Sequence, residues 1–132
     1  MKTVYKVFMI YEGKLWSYNI PPGNPYFKDG QLSLQYHKGR LKRPKFGKIF
    51  AFADLAIAKK FLYEYAVGYE KCDFNFKVWE CQTSRWEMGY RIMASRDNIE
   101  GYKDAWGNGD RLYPFMTPGT IFCDAIKPIK EI

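Results

Sequence analysis

The sequence predicts an α+β fold, in which an antiparallel β-sheet of about six strands carries one main helix, residues 54–67, on one face. Most of the chain consists of short stretches rich in β-branched and aromatic residues, which favour strands. Apolar residues follow helical spacing clearly only in residues 54–67. Strands come in runs before and after that helix instead of alternating with helices, and this order favours an antiparallel sheet over a parallel α/β fold.

The first third of the chain predicts a hairpin, a loop and a further strand. "TVYKVFMIY" and "KLWSYNI" are joined at Glu12-Gly13, so residues 3–20 predict a β-hairpin whose first strand, apolar on both faces, lies centrally in the sheet. "PPGNPYFKDG" holds three prolines and two glycines and predicts a loop. "LSLQYH" alternates apolar and polar residues, as a half-buried strand does.

The remaining elements follow from the same signals. "KIFAFA" predicts a short strand that leads into the helix, which begins at the N-cap Asp54 and stops at Gly68. "FNFKVWECQ" and "RWEMGYRIMAS" predict two more strands, and residues 97–106 a short helix. A last strand is predicted over residues 120–129, with Pro128 near its end, which suits a sheet edge.

The totals predict one folded domain spanning residues 1–132. A chain of this length buries enough surface to fold alone, and its ten Phe, eleven Tyr and four Trp are unlike the composition of disordered chains. Cys72, Cys81 and Cys123 are an odd number without a C-x-x-C pair, so we expect buried, reduced thiols and no disulfide framework. No signal peptide and no apolar run long enough for a membrane span is evident, so we expect a cytoplasmic protein without a membrane partner.

The positive charge is concentrated in "HKGRLKRPKFGK", the basic segment of residues 37–48. The chain has 21 Lys and Arg against 14 Asp and Glu, a net charge of +7, and no carboxylate lies between Gly30 and Ala53. Without the six cations of the basic segment the balance is 15 against 14, or +1. This concentration indicates an anion-facing patch. The predicted ligand-binding cations are Lys38, Arg40, Lys42, Arg43, Lys45 and Lys48.

A second candidate loop, residues 101–113, opens the stretch "GYKDAWGNGDRLYPFMTPGT". Its Gly-Asn-Gly turn tolerates positive φ and presents aromatic rings that could stack on a base, with an arginine that could fork onto a phosphate. Its alternative role is a packed connection at the margin of the core. The predicted ligand-binding residues of this loop are Tyr102, Trp106, Arg111 and Tyr113.

Catalytic and metal-binding signatures are absent from the sequence. The chain has a single histidine, His37, and it lacks nucleophile-elbow, metalloprotease, P-loop and Rossmann patterns. We therefore predict no catalytic residue. Three scattered cysteines do not supply a zinc site, and a carboxylate triple such as Glu80, Glu87 and Asp124 is the weak alternative for magnesium. The sequence therefore predicts no cofactor and favours a binding protein over an enzyme.

Three stretches carry a resemblance that covers most of the chain: "VYKVF…GKLWSYN", "GKIFAFADLAIAKKFL" and "TPGTIFCDAIKPI". In this arrangement the chain resembles small proteins common in phage and mobile-element genomes. The resemblance implies a protein that binds host components or nucleotide-like molecules instead of catalysing reactions. For the alternative of a phage-encoded sponge of a small ligand, it implies an action against host defence in the host cytoplasm.

Three functions remain open at this stage. The first is binding of a polyanion, most of all nucleic acid, through the basic segment and the loop of residues 101–113. The second is a binder or sponge for a small nucleotide-like anion, which needs a concave pocket and fewer cations. The third is a protein-interaction or structural module, of which a homo-oligomer is one form.

Overall fold

The computed structural model describes residues 1–18, 22–25, 27–29, 33–45, 47–88 and 119–132. The predicted helix of residues 97–106 and the end of the strand predicted from "RWEMGYRIMAS" lie outside these residues. The described elements, in chain order, are β1 (Lys2–Tyr11), β2 (Lys14–Ser17), β3 (Gln35–Tyr36), β4 (Ile49–Phe52), α1 (Leu55–Ala66), a 3-10 turn (Val67–Tyr69), β5 (Asn75–Thr83), β6 (Trp86–Met88), β7 (Thr120–Cys123) and β8 (Lys127–Glu131).

All eight strands belong to one antiparallel sheet, which confirms the predicted fold class. β1 is central, as its two apolar faces predict: β5 pairs along one edge, and β2 and β4 share the other. The β1–β2 hairpin turns at Glu12 and Gly13, both with positive φ, as a two-residue turn of type I′ requires. β3 extends the sheet beyond β2, β8 extends it beyond β5, and β7 and β6 extend it beyond β4.

Backbone hydrogen bonds after β3 curl part of this sheet into a ring. Lys42 and Ile126 exchange N–H···O bonds of 2.8 and 2.9 Å, and the Gly39 N–H donates to the Pro128 carbonyl at 2.7 Å. The end of the β2–β3 arm thereby meets β8. The result is a ring of chain segments around a common interior. In order, it consists of β1, β2, β3, the first half of the basic segment, β8 and β5.

Alternating side chains of β1 divide the buried residues into two clusters. Val4 and Phe8 point into the ring, where Tyr36, Ile126 and other apolar residues surround them. Val7 and Met9 point to the opposite face and pack with Phe52 and Val78 beneath α1. Helix and ring therefore lie on opposite faces of the central strand.

Helix α1 occupies the predicted position. Asp54 is its N-cap, and its carboxylate accepts a hydrogen bond from the Ala56 N–H at 2.7 Å. Ala58 is fully buried, and Phe61 and Tyr65 pack on the sheet with their ring centroids 5.4 Å apart. The apolar spacing in the sequence predicted this face correctly.

Two predictions about the chain need correction. The last strand, predicted over residues 120–129, is two strands, because β7 pairs with β4 and β6 whereas β8 pairs with β5. The chain changes its partner strands at Asp124–Ile126 without any glycine or proline to signal the change. All three cysteines are free, but only Cys81 and Cys123 are buried; Cys72 is exposed because it lies in the turn after α1.

The described residues contain no helix that is long and apolar enough to cross a membrane. Helix α1, of 12 residues, has one face covered by the sheet and charged side chains such as Lys59 and Lys60 on its exposed face. Its amphipathic pattern is the one expected of a helix packed on a sheet.

Candidate anion-binding site

The basic segment begins in a tight turn that the sequence "HKGR" forms. The Arg40 N–H donates to the His37 carbonyl at 3.1 Å, and Gly39, the third residue of the turn, has a φ of 78°. A positive φ at this position is the requirement of a type II turn, which glycine meets without strain. The turn is tied to the sheet by the bond from Gly39 to Pro128.

Lys42 fixes the next part of the segment to the sheet. Its backbone N–H and C=O both form hydrogen bonds with Ile126, the residue that precedes β8. The chain is therefore extended at Lys42 and lies beside Ile126. Its side chain points back: the Nζ atom lies 2.9 Å from Oδ2 of Asp29. The other oxygen of Asp29 accepts from the Gln35 N–H at 2.9 Å, which holds the carboxylate in place.

Two of the six predicted cations are therefore engaged by carboxylates of the protein. Lys42 pairs with Asp29, and Lys48 pairs with Asp124, in each case with a half-buried ammonium group. These ion pairs connect residues that are distant in sequence, since Lys48 and Asp124 are 76 positions apart. Both lysines help to attach the basic segment to the sheet, which removes them from the set of cations available to a ligand.

The other four predicted cations are exposed and form what we call the cationic strip, which consists of Lys38, Arg40, Arg43 and Lys45. Within the described part of the chain, none of these four side chains lies in an ion pair. Arg43 and Lys45 are exposed, while Lys42 and Pro44 are partly buried, as expected of an extended chain with one face on the protein. The strip therefore presents positive charge to solvent from an anchored backbone.

A pocket of about 410 Å³ adjoins the first residue of the strip. Its apolar wall lies at one end of the ring and comes from neighbouring strands: Ile10 of β1 faces Leu15 of β2, Leu15 faces Tyr36 of β3, and Trp79 belongs to β5. Gly13, Gln35 and four residues with ionisable side chains complete the lining; the four are Lys14, His37, Lys38 and Glu131. The pocket thus combines an apolar wall with polar groups of both charge signs.

Sequence reasoning found Lys38 but missed the pocket beside it. Ile10, Leu15 and Trp79 are typical strand residues, and nothing in their spacing predicts that they share one wall. Only the pairing of β1 with β2 and β5 places them together. The signal that was available is the alternation of "LSLQYH", which ends at His37 on the rim.

The second predicted loop lies outside the described residues. Its candidate binding residues, Tyr102, Trp106, Arg111 and Tyr113, all belong to the stretch 89–118, which the structure does not describe. Their role in ligand binding stays a prediction, as does the expectation that residues 101–113 border the basic segment.

Lys6 is a buried cation that the sequence analysis did not single out. It lies on β1 between the residues that pair with β2 and the residue that pairs with β4, and its Nζ donates to the Phe50 carbonyl at 2.6 Å. Ring centroids of Tyr18 and Phe8 lie 5.3 and 5.8 Å from Nζ. Burial lowers the pKa of this ammonium group to about 8. The available signal was a lysine in the middle of an otherwise apolar strand.

Two thiols lie near Lys6 in the same interior. Burial raises the pKa of Cys81 to about 12 and that of Cys123 to about 11, so both are protonated at neutral pH. Lys6 itself is only 3% exposed, which leaves it out of reach of a ligand in the pocket. We assign these three groups to the stability of the fold.

The described residues do not bring together three potential metal ligands among His, Cys, Asp and Glu. This includes Glu80, Glu87 and Asp124, the carboxylate triple that the sequence offered for magnesium: the three lie on or beside different strands and do not converge.

Comparison with known proteins adds no relative. No family model, no curated protein and no solved structure matches the chain significantly. The chemistry of the site is therefore argued from its own residues, which are exposed cations on an anchored backbone beside an apolar pocket.

Proposed function

We propose that the protein binds a polyanion, with nucleic acid as the best fit, through the cationic strip. The observation that carries the proposal is that the cations of the basic segment fall into two groups. Two of its lysines pair with carboxylates, whereas Lys38, Arg40, Arg43 and Lys45 are exposed and have no ion pair among the described residues. Charge of one sign gathered on one surface attracts an extended anion.

The number and the spread of these cations favour a polymer over a single small anion. Four cations are distributed over eight residues of chain, beyond the two or three that the phosphates of one nucleotide require. Arg40 and Arg43 can each hold a phosphate with two parallel hydrogen bonds, while the lysines act as point charges. Because the backbone is fixed at Gly39 and Lys42, binding orders fewer residues and costs less entropy.

A second candidate function is binding of a small nucleotide-like anion, and the pocket beside Lys38 favours it. At about 410 Å³ the pocket lies in the size range of ligand sites, and its apolar wall could receive a ring while Lys38 and Lys14 face a phosphate. A phage-encoded sponge for a host signalling nucleotide would be the setting of this candidate.

The primary proposal is tested by reversing charge on the strip and, as a matched control, on the helix. The double variant Arg40→Glu/Arg43→Glu and the control Lys59→Glu/Lys60→Glu change the net charge equally, and all four side chains are exposed. Fluorescence anisotropy measures their affinity for a labelled mixed-sequence DNA strand of about 15 nucleotides at about 50 mM salt. We expect the strip variant to lose about tenfold or more in affinity and the helix control about threefold or less.

Two results would contradict the proposal. The first is absence of binding by the unmodified protein at low salt, and the second is an equal loss in both double variants, which would reveal attraction by net charge alone. A thermal-shift screen of mononucleotides and cyclic nucleotides tests the second candidate. A raised melting temperature with those ligands, together with absence of oligonucleotide binding, would favour the small anion.

A further inference from the structure

We infer that the pocket beside Lys38 receives an unpaired nucleobase, so that the protein binds single strands in preference to duplexes. This inference rests on the proposed function and gives it a substrate class. It concerns the five elements that form the pocket: β1, β2, β3, β5 and the C-terminal end of β8.

The cationic strip and the pocket meet at one residue. Lys38 belongs to both, and the turn of residues 37–40 is fixed by hydrogen bonds to the sheet and within itself. A phosphate held at Lys38 therefore lies at the rim of the pocket. The base attached to that nucleotide is then within reach of the apolar wall.

The lining of the pocket matches the chemistry of a base. A base offers two apolar π-faces and a polar edge, and the pocket offers an apolar wall with the ring of Trp79 and a rim with polar residues. Glu131, also on the rim, can accept a hydrogen bond from an exocyclic amino group. Contact of one base with an aromatic wall strengthens binding by about 5- to 150-fold.

Charges of both signs line the pocket. Two lysines, Lys14 and Lys38, and one carboxylate, Glu131, belong to the lining, so the pocket is less positive than the strip, which has four cations and no carboxylate. Such a lining favours an uncharged group with donors and acceptors over a second phosphate. Bases of a duplex are stacked and paired, and they would have to leave the helix to enter the pocket, which costs free energy.

The test compares three probes of equal length on the unmodified protein. They are a mixed-sequence single DNA strand, its duplex, and a strand with the same backbone but with abasic sites. We expect the intact strand to bind at least about fivefold tighter than either of the other two. Equal affinity for the intact and abasic strands would overturn the inference and leave the proposed function standing. Absence of binding to all three would overturn the proposed function itself.

Variants then locate the base. Trp79→Leu removes a ring from the pocket wall, and Trp86→Leu removes a half-buried ring from β6, which does not line the pocket. The readout is the ratio of the affinities for the intact and abasic strands, because general damage to the fold lowers both affinities together. We expect the ratio to fall at least about threefold in Trp79→Leu and to stay unchanged in Trp86→Leu.

A second variant keeps the test decisive if Trp79→Leu does not fold. Glu131→Ala removes the rim carboxylate, which lies opposite Trp79 in the register of β5 and β8 and is exposed, so we expect this variant to fold. We expect the same ratio to fall by about twofold or more in this variant. If Trp79→Leu folds, a ratio unchanged in both variants would overturn the inference; if it does not fold, a ratio unchanged in Glu131→Ala alone would overturn it.

Discussion

The ammonium group of Lys6 is buried at the point along β1 where the pairing with β4 has ended and the pairing with β2 has not yet begun. β1 pairs with β2 from Phe8 onward and with β4 at Tyr5, and the Lys6 side chain reaches across this split to the Phe50 carbonyl. The ammonium group thereby donates a charge-assisted hydrogen bond to a backbone carbonyl of β4. The charge of the donor is in turn destabilising, because it is removed from water and has no carboxylate partner among the described residues.

The buried charge of Lys6 predicts that stability rises with pH. The pKa of Lys6 is about 8 in the folded protein, against an ordinary value of 10.5. At a pH between these two values, the unfolded state therefore binds more protons than the folded state. The free energy of unfolding therefore increases as pH rises through this window. Between about pH 7 and 9 we expect an increase of about 1.4 kcal/mol from this group, which Lys6→Met abolishes. Urea unfolding of both proteins at several pH values measures it.

The controls for this prediction separate Lys6 from the buried thiols. The raised pKa values of Cys81 and Cys123 act in the opposite direction, because unfolding releases their protons as pH rises past about 9. The difference between wild type and Lys6→Met isolates the lysine. Lys60→Met, at an exposed position of α1, should follow the wild-type pH course. Parallel curves for wild type and Lys6→Met would show that the prediction is wrong.

At the scale of elements, the chain just before β7 approaches α1 closely at a glycine. Gly119 lies just before β7 with a φ of 90°, and a Cβ atom built there would lie 2.8 Å from Cδ1 of Ile57 on α1. Two costs therefore combine at this position, the left-handed backbone and the collision with the helix.

A glycine pair separates these two costs. Gly39 also has a positive φ, 78°, but a Cβ atom built there meets nothing within 4 Å. We expect Gly39→Ala to lower the free energy of unfolding by about 1 kcal/mol, from backbone strain alone. We expect Gly119→Ala to lower it by about 2–3 kcal/mol, since overpacking adds to the strain. Chemical denaturation of both variants measures the difference.

A double variant checks the cause of that difference. Ile57→Ala removes the atoms that the new Cβ would meet, so Gly119→Ala should cost only about 1 kcal/mol in the Ile57→Ala background. An unchanged cost in that background would show that the backbone conformation, and not the contact with α1, makes glycine necessary.

At the scale of the whole molecule, the ring of strands holds the basic segment in place, so that its exposed cations share one surface. The bonds of Gly39 to Pro128 and of Lys42 to Ile126 hold the segment against the start of β8. Carboxylates engage the two half-buried lysines, so the remaining cations face solvent together. The concentration of charge is a property of the sequence, and its orientation is a property of the assembled sheet.

The number of exposed cations predicts how binding depends on salt. If all four cations of the strip contact phosphates, the logarithm of the affinity for a single strand should fall with the logarithm of salt concentration with a slope of about −3. Arg40→Glu/Arg43→Glu should halve that slope, whereas Lys59→Glu/Lys60→Glu should preserve it. Anisotropy titrations over a salt series measure both, and an unchanged slope in the strip variant would contradict the assignment of phosphates to Arg40 and Arg43.

Much of the fold was predictable because its signals are local. The hairpin at Glu12-Gly13, the central position of β1 and the helix capped by Asp54 all follow from turn chemistry, burial pattern and helical spacing. The division of the last strand was not predictable, because β7 and β8 differ in their partners and not in their composition. The pocket wall was missed for the same reason, since Ile10, Leu15 and Trp79 meet only through strand pairing.

For the basic segment, the sequence by itself determined that nearly all of the net charge lies in residues 37–48, within an antiparallel α+β fold. Only the tertiary structure decided how that charge is divided. Lys42 and Lys48 meet Asp29 and Asp124 because strand pairing brings distant residues together, and the other cations are left to solvent. The physical reason is that charge is counted along the chain, whereas the partner of each charge depends on contacts between residues far apart in sequence.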